Sequence, residues 1–101
     1  MLELNLNNFQ AEALEADQPV LVDFWAPWCG YCRRISAPYD RIAEEHQDHL
    51  VVGKVNVDEQ PDLAAQFGVM SIPTLLVFEQ GKLVRQAVGA RPKAGVLELL
   101  G

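Results

Sequence analysis

The hydrophobic positions follow two different spacings, and the first quarter of the chain shows both of them. Leucines alternate with polar residues over residues 2–6, which predicts an edge strand. Residues 8–16 carry apolar side chains on one helical face, and Asn7 or Asn8 is the expected helix cap. The nearly continuous apolar run over residues 20–25 predicts a strand that is buried on both faces.

Three further strands are predicted in the second half of the chain. Residues 50–57 and 74–78 are rich in β-branched and other apolar side chains, as strands commonly are. The pair Gln80-Gly81 predicts a tight turn into a last strand over residues 82–88, so that the final two strands form a hairpin. Three more helices are expected at residues 29–46 with Pro38 inside, at residues 61–67 ending before Gly68, and at residues 92–100.

The predicted order βαβαβαββα is typical of an α/β fold. We expect the early strands to be parallel and joined by right-handed crossovers, and the final hairpin to be antiparallel. This arrangement is a central mixed five-stranded sheet flanked by four helices. A chain of 101 residues has room for one hydrophobic core, so we expect a single domain over residues 1–101.

Composition and charge exclude several classes of protein. Half of the residues are apolar, which is too many for a disordered chain. No apolar run approaches the roughly 20 residues that cross a membrane, and the first residues lack the pattern of a signal peptide. The formal charge is −6, whereas nucleic-acid binding needs a basic face. We therefore expect a cytoplasmic protein that binds neither membranes nor nucleic acid.

The two cysteines stand in the segment Cys29-Gly30-Tyr31-Cys32, where the longest helix is predicted to begin. This spacing places both sulfur atoms on one helical face, close enough to form a disulfide. The N–H groups and the positive dipole end at the helix N-terminus stabilise a thiolate at Cys29, and Arg33 and Arg34 add positive charge. The pattern predicts a redox-active pair in which Cys32 is the more buried cysteine.

Other interpretations of the cysteine pair fit the sequence less well. A structural zinc site needs four ligands, and His46 and His49 are closer together than the usual finger spacing allows. Haem attachment requires histidine after the second cysteine, but residue 33 is arginine. An inert buried pair is disfavoured by the position between a strand and a helix. We expect no metal and no bound cofactor, and no catalytic role for the two histidines.

Several motifs together resemble the thioredoxin family. They are the segments Val22-Asp23-Phe24-Trp25, Trp25-Ala26-Pro27-Trp28-Cys29-Gly30-Tyr31-Cys32 and Ser71-Ile72-Pro73-Thr74, with Pro38, Lys54 and Val88-Gly89 in matching order. The resemblance extends from the first strand to the last helix. It implies a thioredoxin fold and the activity of a protein disulfide reductase, a dithiol–disulfide oxidoreductase that forms a mixed disulfide with its substrates. The implied partners are disulfide-containing proteins and a flavin- and NADPH-dependent thioredoxin reductase, and the expected state is a monomer.

Two charged residues are expected to support the cysteines. Asp23 interrupts an apolar run, so burial should raise the pKa of its carboxyl group. The resemblance implies that Asp23 accepts the proton of Cys32 through water. It also places Lys54 near Asp23, where its charge would keep the carboxyl partly ionised; a lysine at the surface is the alternative for this residue.

A second group of residues is expected to form the surface that receives the substrate. The resemblance implies a cis bond before Pro73 and an apolar rim that docks extended protein segments. The backbone of Ile72 would then be free to pair with the substrate. The expected substrate-binding residues are Trp28, Gly30, Tyr31, Val57, Ile72, Pro73, Val88 and Gly89.

Residues beside this surface have simpler expected roles. Asp58, Glu59 and Asp62 are expected to place negative charge at the N-terminus of a short helix, because the calcium-loop pattern is absent. Trp25 is expected to pack in the core with its indole N–H as a polar group. Met70 has two open interpretations, as part of the apolar rim or as core filling.

Tyr31 departs from the pattern of the family, because most thioredoxins have Gly-Pro between the cysteines. Tyrosine supplies an amide N–H that proline lacks, and this group can donate a hydrogen bond to a thiolate. Stabilising the reduced form makes the disulfide more oxidising, so we expect a less reducing couple. The alternatives are a glutaredoxin-like or isomerase-like exchange activity, or a peptide-binding module that uses the fold without redox chemistry.

Overall fold

One five-stranded sheet organises residues 1–89 and 91–100, which are the residues that the computed structural model describes. The sheet order is β1-β3-β2-β4-β5. β1 and β2 run parallel to β3, whereas β4 is antiparallel to β2 and β5 is antiparallel to β4, so the expected mixed sheet is confirmed. The strands are β1 (Leu2–Glu3), β2 (Val20–Trp25), β3 (Val51–Asn56), β4 (Thr74–Glu79) and β5 (Lys82–Val88).

Four helices connect and flank these strands, as the alternating pattern predicts. The longest helix is α2. Pro38 lies inside it, and the helix continues beyond this proline to Glu45. The helices are α1 (Gln10–Leu14), α2 (Gly30–Glu45), α3 (Pro61–Gln66) and α4 (Lys93–Leu99). Among the described residues, no helix has the length and apolar character needed to cross a membrane.

The start of the chain differs from the predicted structure. α1 is a five-residue π-helix rather than a helix over residues 8–16, and no side chain caps it. The prediction that Asn7 or Asn8 caps this helix is therefore wrong. The side-chain oxygen of Asn5 instead accepts hydrogen bonds from the backbone N–H groups of Asn7 and Asn8, at 2.8 and 3.0 Å. This local turn competes with a regular helix start.

The core lies on both faces of the sheet because side chains alternate along its central strand. Every residue of β2 is buried except the half-buried Trp25. Val20, Val22 and Phe24 pack in one cluster with residues of α3, whereas Leu21 packs against α2 on the other face. Asp23 occurs between Val22 and Phe24 and therefore points toward the face that α2 covers.

The last strand forms an exposed edge of the sheet. Only Ala87 is buried among the residues of β5. Gln80 and Gly81 have positive φ angles of 52° and 81°, which gives the tight turn predicted between β4 and β5. Arg85 on this edge pairs with Glu79 at 3.4 Å.

Gly53 is required by close packing between β1 and β3. A Cβ atom at this position would lie 2.6 Å from the Cδ1 atom of Leu4, which is buried in the core. We expect Gly53→Ala to lower the free energy of unfolding by about 1–3 kcal/mol, as overpacked cores do. Urea denaturation checks this value. Gly95→Ala is the matched control, because its nearest contact is 3.5 Å and alanine favours the helix. Equal effects of the two changes would contradict the packing argument.

Candidate active site

The two cysteines lie where the chain turns from β2 into α2. Cys29 is the N-cap residue of α2, with extended backbone angles, and Cys32 lies in the first helical turn. The structure joins them in a disulfide with Cα atoms 5.2 Å apart. Both are buried, Cys29 at 6% exposure and Cys32 at 2%, in a small cluster with Ala26. The spacing of three residues thus brings both sulfur atoms together at the end of a helix.

The backbone of the first helical turn contacts the first sulfur atom. The N–H group of Cys32 donates a hydrogen bond to the Sγ atom of Cys29 at 3.2 Å. The hydrogen bond expected from the amide of Tyr31 is to the thiolate of the reduced protein and stays a prediction, because the cysteines are joined in this structure. The ring of Tyr31 is 63% exposed, and the guanidinium carbon of Arg34 lies 5.2 Å from its centre. Tyr31 therefore adds an aromatic surface beside the cysteines.

Asp23 is a buried carboxyl group behind the cysteines. It is 3% exposed, and its Oδ1 atom has no hydrogen-bond partner among the described residues. Burial raises the pKa of Asp23 to about 7, and the nearby charge of Lys54 partly opposes this effect. The position of Lys54 follows from the parallel register, in which it is the direct partner of Asp23 on β3. Asp23 can therefore exchange a proton in the neutral pH range.

One cavity connects this carboxyl group with the second cysteine. It has a volume of about 210 Å³, which is ample for water molecules. Asp23 and Cys32 both line it. The remaining lining residues are Met1, Trp25, Arg33, Ser36, Asp40 and Lys54.

Tyr39 is a polar residue near Asp23 that the sequence analysis did not single out. It is fully buried in the cluster between the sheet and α2. Burial and the charge of Asp23 both raise the pKa of the Tyr39 hydroxyl, and Arg91 opposes them. The helical periodicity gives Tyr39 an apolar position in α2, and no motif in the sequence relates it to Asp23.

An apolar groove lies beside the disulfide. Trp28, Val57 and Ile72 line it together with Met70, and its volume is about 210 Å³. Met70 is 98% exposed, so it contributes to the rim and is not a core residue. Three of the residues expected to bind substrate therefore share one surface depression.

The loop before β4 holds Pro73, Val88 and Gly89 close to one another, whereas Gly30 and Tyr31 lie in the first turn of α2. The bond between Ile72 and Pro73 is cis, as the resemblance implies. The N–H group of Gly89 donates a hydrogen bond to the carbonyl oxygen of Pro73 at 2.8 Å. Val88 pairs with Thr74 in the antiparallel register of β4 and β5. The chain segments around Pro73 and Gly89 are thus held side by side.

Asp58 has a role that the sequence analysis missed. Its Oδ2 atom accepts a hydrogen bond from the indole N–H of Trp28 at 2.9 Å. We had expected Asp58 to act only as charge at a helix N-terminus, together with Glu59 and Asp62. The bond joins residues 30 positions apart, so a local sequence pattern does not reveal it. It fixes the orientation of an exposed tryptophan at the edge of the groove.

The two histidines form a separate group at the other end of α2. The ring nitrogen Nδ1 of His46 lies 3.1 Å from Nε2 of His49, and Nδ1 of His49 lies 2.8 Å from Asp48. Across residues 1–89 and 91–100, no three His, Cys, Asp or Glu side chains are grouped so that they could hold a metal ion.

Comparisons with known proteins agree with this geometry. A sequence model of the family described as "Thioredoxin" matches residues 1–100. A "Thioredoxin" of Alicyclobacillus acidocaldarius subsp. acidocaldarius is 52% identical over 86 residues, which are 85% of this chain and 81% of that protein. A "Thioredoxin 1" of Synechococcus elongatus is 50% identical and one of Nostoc sp. is 48% identical. These two matches cover 91% and 93% of this chain, and 86% and 88% of the relatives.

The cysteine pair, the sheet topology and these matches define a dithiol–disulfide oxidoreductase. More narrowly, the chain belongs to the thioredoxin family. Its segment between the cysteines is Gly-Tyr.

Asp23→Asn tests the burial of the carboxyl group through protein stability. The pKa of Asp23 rises from an ordinary value near 3.8 to about 7, so the folded protein favours the protonated form. The free energy of unfolding should therefore fall as pH rises from about 4 to about 7. We expect Asp23→Asn to be more stable than the wild type above pH 7, by up to about 4 kcal/mol, and this advantage to disappear toward pH 4.

Urea denaturation of the oxidised proteins between pH 4 and pH 8.5 measures this difference. Asp62→Asn is the matched control, because it removes a carboxylate that is exposed rather than buried. A stability difference between Asp23→Asn and the wild type that stays constant with pH would show that the carboxyl group does not titrate as described.

Proposed function

We propose that this chain is a protein disulfide reductase in which Cys29 is the attacking residue. The Cys29 thiolate attacks a disulfide of the partner protein, forms a mixed disulfide and releases the first partner sulfur as a thiolate. Cys32, as a thiolate, then attacks the Sγ atom of Cys29 and releases the second partner sulfur. The partner gains two electrons, and Cys29 and Cys32 become a disulfide. The position of Cys29 at the N-terminus of α2 is the observation that carries this proposal.

Asp23 is the proposed proton acceptor for Cys32. Both residues line the same cavity, and the pKa of Asp23 of about 7 suits proton transfer at neutral pH. The proton leaves the Cys32 thiol through water and reaches the carboxylate, which makes Cys32 a nucleophile when it is needed. Lys54 is proposed to keep a fraction of Asp23 ionised, because it is the adjacent cation in the strand register.

The groove beside the disulfide is the proposed docking surface for an extended substrate segment. Its apolar lining fits unfolded or extended chains without strong sequence preference. The backbone of Ile72 is the proposed partner for main-chain hydrogen bonds. The proposed contact residues are Trp28, Gly30, Tyr31, Val57, Ile72, Pro73, Val88 and Gly89.

The electrons that reduce the disulfide again must come from another protein. We propose a flavin- and NADPH-dependent thioredoxin reductase as the donor, disulfide-containing proteins as acceptors, and electron transport for redox homeostasis in the cytoplasm as the setting. The proposed working unit is a monomeric single domain over residues 1–101. The cysteine sulfur atoms carry the electron pair themselves, so the proposed reaction needs no resident cofactor.

Tyr31 favours a second candidate function, in which thiol–disulfide exchange occurs at a less reducing potential. Glutaredoxin-like or isomerase-like activity would share the sulfur chemistry but would use a different electron donor. The third alternative, a peptide-binding module without redox chemistry, is disfavoured by the joined cysteines and the buried carboxyl group at the same cavity. Turnover with glutathione rather than with a reductase would support the second candidate.

Cys32→Ser tests the order of the two sulfur attacks. Without Cys32 the mixed disulfide cannot be resolved, so we expect a stable covalent complex between Cys29 and a substrate protein. Non-reducing electrophoresis and mass spectrometry detect this complex and locate the bond. Cys29→Ser is the matched control and should trap no complex. Equal trapping by the two variants would contradict the assignment of Cys29 as the attacking cysteine.

Tyr31→Pro tests the effect of the residue between the cysteines. Proline removes the amide hydrogen that we propose stabilises the reduced form, so the reduction potential should fall by about 30 mV or more, equivalent to about 1.4 kcal/mol. Titration against a defined thiol buffer at pH 7 measures the potential. Tyr31→Phe keeps the amide and the ring and should leave the potential close to that of the wild type. An unchanged potential in Tyr31→Pro would contradict this explanation.

A further inference from the structure

Lys54 lies beside Asp23 but makes no direct ion pair with it. The two residues are partners in the parallel register of β2 and β3, so their side chains start next to each other. Within the described part of the chain, no ion pair joins them. The Nζ atom of Lys54 instead lies 5.0 Å from the centre of the Trp25 ring. This distance is typical of a cation–π interaction, for which tryptophan is the best aromatic partner.

Trp25 and Lys54 lie at the boundary of two cavities, each of which is lined by carboxyl groups. One is the cavity of about 210 Å³ that Asp23 and Cys32 share. The other has a volume of about 110 Å³, and its lining includes the carboxylates of Glu3 and Glu59. Both Trp25 and Lys54 line both cavities. The ammonium group therefore has carboxyl groups available on either side of the indole ring.

The ring of Trp25 gives the ammonium group of Lys54 a position between the two cavities. A lysine ammonium is strongly hydrated, so a direct pair with the buried carboxyl of Asp23 requires loss of water. The surface carboxylates Glu3 and Glu59 attract the same group without that loss. The face of the Trp25 indole offers an intermediate position, which keeps the cation near the buried cavity.

Other charged and titratable groups surround Asp23. Lys54 differs from them because its charge acts on the pKa of Asp23. On the α2 side these are Cys32, Arg33, Tyr39 and Asp40, with Met1 at the end of β1 and Arg91 near Tyr39. The amino group of Met1 lies 3.8 Å from Asp40, which balances its charge. Lys54 is the cation whose charge opposes the effect of burial on the pKa of Asp23.

We propose that Trp25 is a positioning residue of the active site, whose indole face holds the Lys54 ammonium close to the Asp23 carboxyl group. Without this face, Lys54 moves toward Glu3 and Glu59, and the buried carboxyl loses its nearby cation. The ionised fraction of Asp23 at neutral pH then falls. This inference deepens the proposed function and rests on it for the role of Asp23 as proton acceptor. The position of Lys54 itself does not depend on that role.

The test compares Trp25→Leu, Lys54→Met and the double variant. The titration midpoint of Asp23 is followed by ¹³C NMR of its carboxyl carbon, in both the reduced and the oxidised protein. We expect each single change to raise the midpoint by about half a pH unit or more. In the double variant the midpoint should equal that of Lys54→Met, because Trp25 acts through the lysine. The acid limb of the pH profile for resolution of the mixed disulfide should move in the same direction.

Trp25→Phe keeps an aromatic face and covers the case in which Trp25→Leu does not fold. Its midpoint should lie between those of the wild type and Lys54→Met, and the difference should vanish in the Lys54→Met background. An unchanged or lowered midpoint overturns the proposal, and so does an effect of Trp25 that persists without Lys54. The NMR midpoint is measured without turnover, so these results are distinct from a failure of the Cys32→Ser trapping experiment.

Discussion

The burial of β2 on both faces is the constraint on which the active site depends. β3 and β4 flank this strand and complete its hydrogen bonds, and helices cover it above and below. An ionisable side chain on such a strand is largely removed from bulk water, which is why the pKa of Asp23 is raised to about 7. The segment that follows this strand leads to Cys29, the N-cap residue of α2. One strand therefore positions the buried acid and leads directly into the segment that carries the two cysteines.

The site consists of an inner and an outer part with different physical chemistry. The inner part is the cavity behind the disulfide, where the buried carboxyl group of Asp23 lies close to the charge of Lys54. The outer part is the apolar groove, in which Asp58 fixes the exposed indole of Trp28. The disulfide lies between the two parts. The proposed proton transfer and the proposed substrate docking thus use two different cavities of the site.

Features that depend on residues close together in the sequence could be predicted. Features that depend on contacts between residues far apart in the sequence could not. The spacing of Cys29 and Cys32 at a helix start and the apolar run around Asp23 indicated the chemistry and most of the sheet. The bond between Trp28 and Asp58 joins separate loops and leaves no periodic pattern. The position of the Lys54 ammonium on an indole ring depends on strand register and rotamer. The π-helix α1 arose from a local asparagine turn that competes with ordinary capping.

The exposed edge strand β5 has a consequence for how copies of this protein meet one another. A free edge presents unpaired backbone N–H and C=O groups, which are a template for pairing with a second chain. β5 carries Lys82 and Arg85, and an approaching copy of the same edge would bring like charges together. Because Arg85 is paired with Glu79, Lys82 supplies the positive charge that disfavours pairing through this edge, and the opposite edge consists of only the two residues of β1.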